Sequence, residues 1–141
     1  VKRCNSLSLM TPELESQLYK LYPQVFPPRS EAQGASAFQR YGFTGIGGGW
    51  LDVLREMGRK LDDLGGIVVE EVKQKFGILR VYVSGPVEKM NLARTITAEA
   101  ATKSERVCED CGAQGRQCAP HGYVRTMCES CLSAWARNLP R

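Results

Sequence analysis

Cys108-Glu109-Asp110-Cys111-Gly112 and Cys128-Glu129-Ser130-Cys131 are two Cys-x-x-Cys pairs with sixteen residues between them, and they decide how the last quarter of the chain folds. Two thiolates spaced this way turn back on one ion, and Gly112 relieves the tight turn that follows the first pair. Two such pairs at ribbon-like separation read as a tetrahedral four-sulfur zinc site, Zn2+ bound by Cys108, Cys111, Cys128 and Cys131. The expected geometry puts one pair on a turn, the other at a helix N-terminus, and a short hairpin between them. Leu132, Trp135 and Leu139 give that helix its apolar stripe, and its positive end favours thiolates. A single pair would leave redox chemistry, a disulfide or packing as small hydrophobes open; the doubling favours metal. Five of the six cysteines fall in the last 35 residues, which points to metal in a reducing compartment rather than a secreted disulfide scaffold.

Cys118 and the sole histidine, His121, lie between the pairs. They are alternative ligands, or holders of a second metal, or residues of the exposed loop of the zinc hairpin, and the last reading is preferred. Cys4 reads as a free thiol in a frayed terminus. A zinc ion with four protein ligands has no open position for water or substrate, so its role is structural: it folds a segment with too few apolar residues to fold alone.

Upstream, Thr11-Pro12-Glu13 is a helix start, and Leu14, Leu18, Leu21 and Tyr22 share a face until Pro23, which predicts a helix over about 12–22. Residues 23–49 hold Pro27-Pro28, many glycines and Phe26, Phe38, Tyr41 and Phe43. They read as a long loop packed onto the body by its rings. Trp50, Val53, Leu54, Met57, Leu61 and Leu64 recur at helical spacing and Gly65-Gly66 follows, giving a helix over 50–64. Residues 67–84 alternate around Gly77 and predict a β-hairpin. After Gly85-Pro86, residues 87–106 return to helical composition, with Glu99 placed to pair with Lys103.

The formal charge of +4 divides into +3 over residues 1–106 (15 Lys/Arg, 12 Asp/Glu) and +1 over residues 107–141 (4 against 3), so there is no concentrated basic footprint. Lys73, Lys75 and Arg80 still make a candidate basic surface on the hairpin, and Arg116, Tyr123 and Arg125 another on the zinc module; either is a possible contact for nucleic acid or a partner. Gly45-Ile46-Gly47-Gly48-Gly49-Trp50 precedes a helix but lacks the lysine, the hydroxyl and the preceding strand of a phosphate loop. Its glycines are expected to bring the loop close to Trp50. With one histidine and no paired carboxylates or nucleophile motif in a recognisable frame, an enzyme is not expected; one acting through Cys118 and His121 is the remaining catalytic alternative. No apolar run approaches the roughly 18 residues of a membrane span, and the start of the chain lacks the long apolar core of a signal peptide. A soluble, intracellular protein with no membrane partner is expected.

Gly48-Gly49-Trp50-Leu51-Asp52-Val53-Leu54, the run Val72-Lys73-Gln74-Lys75-Phe76-Gly77-Ile78-Leu79-Arg80, and the cysteine module with Gly122-Tyr123-Val124-Arg125-Thr126-Met127 between its pairs together resemble a group of small proteins encoded by phages and prophages. The resemblance covers about two thirds of the chain and implies a phage-linked origin, in the cytoplasm of a bacterial host, without implying an activity. The finger alone is similar to that of the DksA/TraR regulators of bacterial RNA polymerase, where helices enter and leave a four-cysteine module. The long coiled coil of those regulators is replaced here by the Gly- and Pro-rich loop and the hairpin.

The expectation is an α+β protein: a helix and β-hairpin core over residues 1–106, and a treble-clef-like or ribbon-like zinc module over 107–141. The expected role is non-catalytic engagement of a host protein complex, such as transcription or defence machinery. Direct DNA or RNA binding through the zinc module and hairpin is the alternative.

Overall fold

Thr11 starts the first helix as its position dictates: its hydroxyl accepts from the Leu14 N–H at 3.2 Å, and Pro12 occupies the first turn. This helix, α1 (Pro12–Leu21), buries Leu18 completely but leaves Leu21 half exposed, so the apolar face is narrower than its sequence suggests. The computed structural model describes residues 9–138; Cys4 and Leu139 lie outside the described residues.

Residues 23–49 are not loop throughout. A short helix, α2 (Ala37–Tyr41), is opened by a reciprocal cap in which Ser36 Oγ accepts from the Gln39 N–H and Gln39 Oε1 accepts from the Ser36 N–H, both at 3.1 Å. Phe38 from this helix meets Phe26, Phe43 and Tyr19 at ring separations of 5.1 to 6.0 Å. Phe26, Phe38 and Phe43 are buried, whereas Tyr41 turns to solvent. The expectation of a ring-packed segment therefore holds for three of its four aromatics.

A 3-10 turn (Gly48–Trp50) leads into α3 (Leu51–Leu64), which buries Val53, Leu54, Met57 and Leu61. Gly58 sits on the same face because a Cβ there would lie 2.8 Å from the rings of Tyr22 and Phe26. Gly65, at φ 78°, closes the helix in the left-handed region.

β1 (Val68–Lys75) and β2 (Ile78–Ser84) form the expected antiparallel hairpin, in register from Lys75↔Ile78 to Val68↔Ser84 with a bulge between Val69 and Glu71. Phe76 and Gly77 make the two-residue turn with φ of 54° and 77°, the both-positive pattern of a type I′ turn. Val69, Val72 and Leu79 face the core.

α4 (Met90–Ser104) follows a turn over Val87–Lys89 and buries Ala93, Ala100 and Ser104 against the hairpin and α3. The expected Glu99–Lys103 pair within this helix gives way to pairs across helices: Lys60 with Glu99 at 3.0 Å and Lys103 with Glu56 at 2.6 Å. Lys103 is the largest cause that holds the Glu56 carboxyl below its usual range, while the Glu99 carboxylate does most to raise the Lys60 ammonium.

The C-terminal part adds β3 (Arg116–Cys118), β4 (Arg125–Met127) and α5 (Glu129–Asn138), with β3 and β4 paired antiparallel. The chain is thus α+β: five helices and two separate two-stranded sheets among the described residues. A small second core gathers Cys108, Met127 and Cys131 with Leu132 and Trp135. No helix among the described residues is long and apolar enough to cross a membrane.

Candidate metal centre

The thiols of Cys108, Cys111, Cys128 and Cys131 converge so that all four sulfurs lie within 4.8 Å of one another. Cys111 Sγ and Cys128 Sγ are 3.7 Å apart. A tetrahedron with metal–sulfur bonds of about 2.3 Å has edges of about 3.8 Å, so the spacing fits a single four-coordinate ion. No disulfide joins the described cysteines.

Local hydrogen bonds explain why the sequence folds this way. Cys108 donates its N–H to the Ala113 carbonyl at 2.8 Å and Gly112 donates to the Cys108 carbonyl at 3.0 Å, which turns the first pair on itself. Gly112 adopts φ 81°, which a side chain would strain. The Ala113 N–H points at Cys111 Sγ and the Cys131 N–H at Cys128 Sγ, each at 3.4 Å. A metal takes cysteine as thiolate, and these two N–H groups hold the Cys111 and Cys128 sulfurs in place. The second pair flanks the start of α5, at the positive end of that helix.

The first cysteine turn is seated on the glycine run of residues 45–49. The Gly49 N–H donates to the Glu109 carbonyl at 2.8 Å, and the Trp50 indole N–H donates to the Val107 carbonyl at 2.8 Å. A Cβ at Gly47 would overlap the Glu109 carbonyl, and one at Gly49 would overlap the Cys108 carbonyl and lie 2.6 Å from the Gly112 nitrogen. The close approach expected of these glycines is real, but what they approach is the cysteine turn.

Glu109 is the polar centre of this junction. Its carboxylate is 1% exposed and accepts from the Thr126 N–H at 2.8 Å and from Gln74 Nε2 at 3.2 Å, with Arg125 Nη2 at 3.5 Å. Burial pushes its pKa up, and the Thr126 N–H, Arg125 and Gln74 oppose that rise. Burial also raises Asp110, against the pull of Arg125 at 3.2 Å. Thr126 Oγ1 donates to the Gly77 carbonyl at 2.7 Å, and Gln117 Nε2 donates to the Phe76 carbonyl at 3.2 Å. Through these bonds the tip of the β1–β2 hairpin, the cysteine turn and β4 share one hydrogen-bonded junction.

Of the residues the sequence singled out, Cys118 and His121 stay outside the sulfur cluster. The Cys118 thiol donates to the Arg125 carbonyl at 3.4 Å, and burial raises its pKa. His121 sits at φ 51° in the turn Pro120–Gly122, its ring 6.3 Å from that of Trp135. Arg125 is turned inward, its guanidinium 5.4 Å from the Trp135 ring centre and paired to Asp110. Lys73 and Arg80 are cross-strand partners; Lys73 lies over the Tyr82 ring and beside Glu71, and Lys75 lies over Phe76. Arg116 and Tyr123 are exposed.

Glu109, Gln74 and Thr126 carry no local signal of a junction, because charged or polar residues beside a cysteine pair or in a strand read as solvated. The triple glycine was the one available signal for close backbone approach.

A groove of about 440 Å³ opens beside the junction, lined by Leu9, Gln74, Phe76, Tyr123, Arg125 and Trp135 among others. On its rim Leu9, Phe76 and Tyr123 are 66%, 63% and 65% exposed. The fold and site together define an α+β protein with a four-cysteine cluster able to hold a metal ion. No protein-family model, curated protein or solved structure matches this chain.

Proposed function

We propose that this is a non-catalytic, phage-type protein that uses one structural zinc ion to hold a binding surface, and that the surface engages a host macromolecular complex such as transcription or defence machinery. The observation that carries this reading is the groove beside the metal centre. Three large apolar side chains stand exposed on its rim, and one of them, Phe76, occupies a left-handed backbone position that costs a non-glycine residue about 1 to 2 kcal/mol. An aromatic ring kept both exposed and strained is better explained by contact with a partner than by folding.

Two features support a non-catalytic role. Four cysteine ligands fill a tetrahedral zinc, so substrate has no place on the metal. The Cys118 thiol has its pKa raised by burial, which leaves less of the nucleophilic thiolate near neutral pH.

The test is recovery of a stoichiometric partner on the tagged full chain from bacterial lysate, with the same recovery attempted on Phe76→Ala and Tyr123→Ala. Retention by the wild type and loss from both variants is the expected outcome. Absence of any stoichiometric partner, or retention unchanged by both substitutions, overturns the reading.

Direct nucleic-acid binding is the second reading, favoured by Lys73, Lys75 and Arg80 beside Tyr82 and Phe76 on the exposed side of the hairpin. Binding to an oligonucleotide that weakens steeply with salt, and falls when Arg80 and Arg116 are neutralised, would favour it over the first.

A further inference from the structure

We infer that the outer edge of β2, together with the exposed face of α4, is a second docking site that takes an acidic peptide segment in extended conformation as an added strand. It lies apart from the groove at the metal centre and does not depend on what that groove binds.

The inference starts from the hydrogen-bonding parity of the hairpin. With Phe76 and Gly77 as a two-residue turn, Ile78, Arg80 and Tyr82 direct their backbone groups to β1, and Leu79, Val81 and Val83 direct theirs to the opposite edge. The Leu79 N–H fits this direction, since it points out of the sheet and donates to Ser104 Oγ of α4 at 2.9 Å. Among the described residues the sheet has two strands only, and no group pairs with the N–H or carbonyl of Val81 or Val83. The outer edge of β1 is treated differently: its Val69 N–H donates to the Val25 carbonyl at 2.9 Å. Unpaired strand edges are templates for another strand.

The space beside that edge suits a backbone. A groove of about 280 Å³ runs between residues 79–82 and the small side chains Thr97, Ala98 and Ala101 of α4. α4 lies along β2 from the Ser104 contact back past these residues, so a strand laid on β2 would be floored by alanines. This is the arrangement in which strand addition gives affinity through main-chain bonds and specificity through side-chain pockets.

Charge selects the partner. Arg80 borders the groove on β2, and Arg94 lies on the same helical face as Thr97, Ala98 and Ala101. Neither is in an ion pair among the described residues, while Arg55, Arg59, Lys60 and Lys103 on the α3–α4 side all are. Glu105, four residues past Ala101, is the one carboxylate on that helical face, at the Leu79 end. Acidic side chains beside Arg80 and Arg94 complete the pairing that the fold leaves open.

The test is an amide chemical-shift titration of the full chain with a capped ten-residue peptide of alternating threonine and glutamate. Shifts are expected at Val81, Val83, Ala98 and Ala101, and Ala98→Leu should abolish them while the rest of the spectrum stays in place. Methylating alternate peptide nitrogens should weaken binding at least about tenfold, the loss of one or two backbone hydrogen bonds. Arg94→Glu should reverse the preference between this peptide and its lysine-for-glutamate counterpart. Any of four results overturns the inference: no shifts at millimolar peptide, equal binding of the methylated peptide, a response of these amides to protein concentration alone, which would mean β2 pairs with a second copy, or a stronger response of the same amides to a ten-nucleotide poly-dT.

Discussion

The indole N–H of Trp50 and the carbonyl of Val107 are joined at 2.8 Å across 57 residues of sequence, one residue before the first cysteine of the metal cluster. Trp50 is fully buried, so this single bond ties the start of α3 to the entry of the cysteine turn inside the core. Trp50→Phe keeps an aromatic ring but leaves the Val107 carbonyl without its partner and opens space. It should lower stability by about 2 to 3 kcal/mol, read by urea denaturation of the metal-loaded chain. A loss below about 0.5 kcal/mol, the scale of an ordinary surface change, would remove Trp50 from the junction.

Gly49→Ala tests the same junction from the other side. Its methyl would overlap the Cys108 carbonyl and crowd Gly112, both backbone atoms of the cysteine turn. Overpacking against backbone should cost about 3 kcal/mol, and metal affinity should fall with it because the turn must shift. Chelator competition measures the second effect; unchanged affinity in a destabilised variant would mean that the loop and the metal site are independent.

Phe76→Asn separates folding from binding. Asparagine accepts the left-handed conformation that Phe76 holds at φ 54°, so the hairpin should gain about 1 kcal/mol. The same substitution removes an exposed ring from the groove rim, and partner recovery should fall as thermal stability rises. A variant that is both more stable and equally competent in recovery would show that Phe76 has no contact role.

Tyr19 gives a pH signature in the first part of the chain. Burial raises its hydroxyl to about 12, and the Glu15 carboxylate that accepts its proton adds to the rise. The folded state holds this proton above the ordinary value of 10.0 while the unfolded chain releases it. The contribution is therefore fully present below pH 10 and is lost as pH climbs towards 12. Between those values stability should fall more steeply in the wild type than in Tyr19→Phe. Parallel pH profiles for the two proteins would contradict the assignment.

What the sequence disclosed follows from how local each signal is. The two cysteine pairs, the Thr11-Pro12 start, the apolar stripe of α3 and the alternation about Gly77 are each written in consecutive or regularly spaced residues, and each appears in the fold. Helix α2 was legible too, since Ser36 and Gln39 stand at capping-box spacing, but the prolines and glycines around it dominate the composition of residues 23–49. Glu109, Gln74 and Thr126 were not legible. They come from a turn and two strands, and their burial arises only when the hairpin tip meets the cysteine turn. The Glu99–Lys103 spacing misled for the opposite reason: Lys60 and Glu56 on α3 offer each residue a nearer partner.

Cobalt(II) titration of the full chain, followed by native mass spectrometry of the zinc-loaded protein, tests the central claim most directly. One ion per chain, bound with the visible spectrum of a tetrahedral four-thiolate site, is the expected result. Changing Cys108, Cys111, Cys128 or Cys131 to serine should each alter that spectrum, whereas Cys118→Ser should leave it intact. A chain that folds with four free thiols and binds no metal, or one whose metal spectrum depends on Cys118 or His121, would contradict the account.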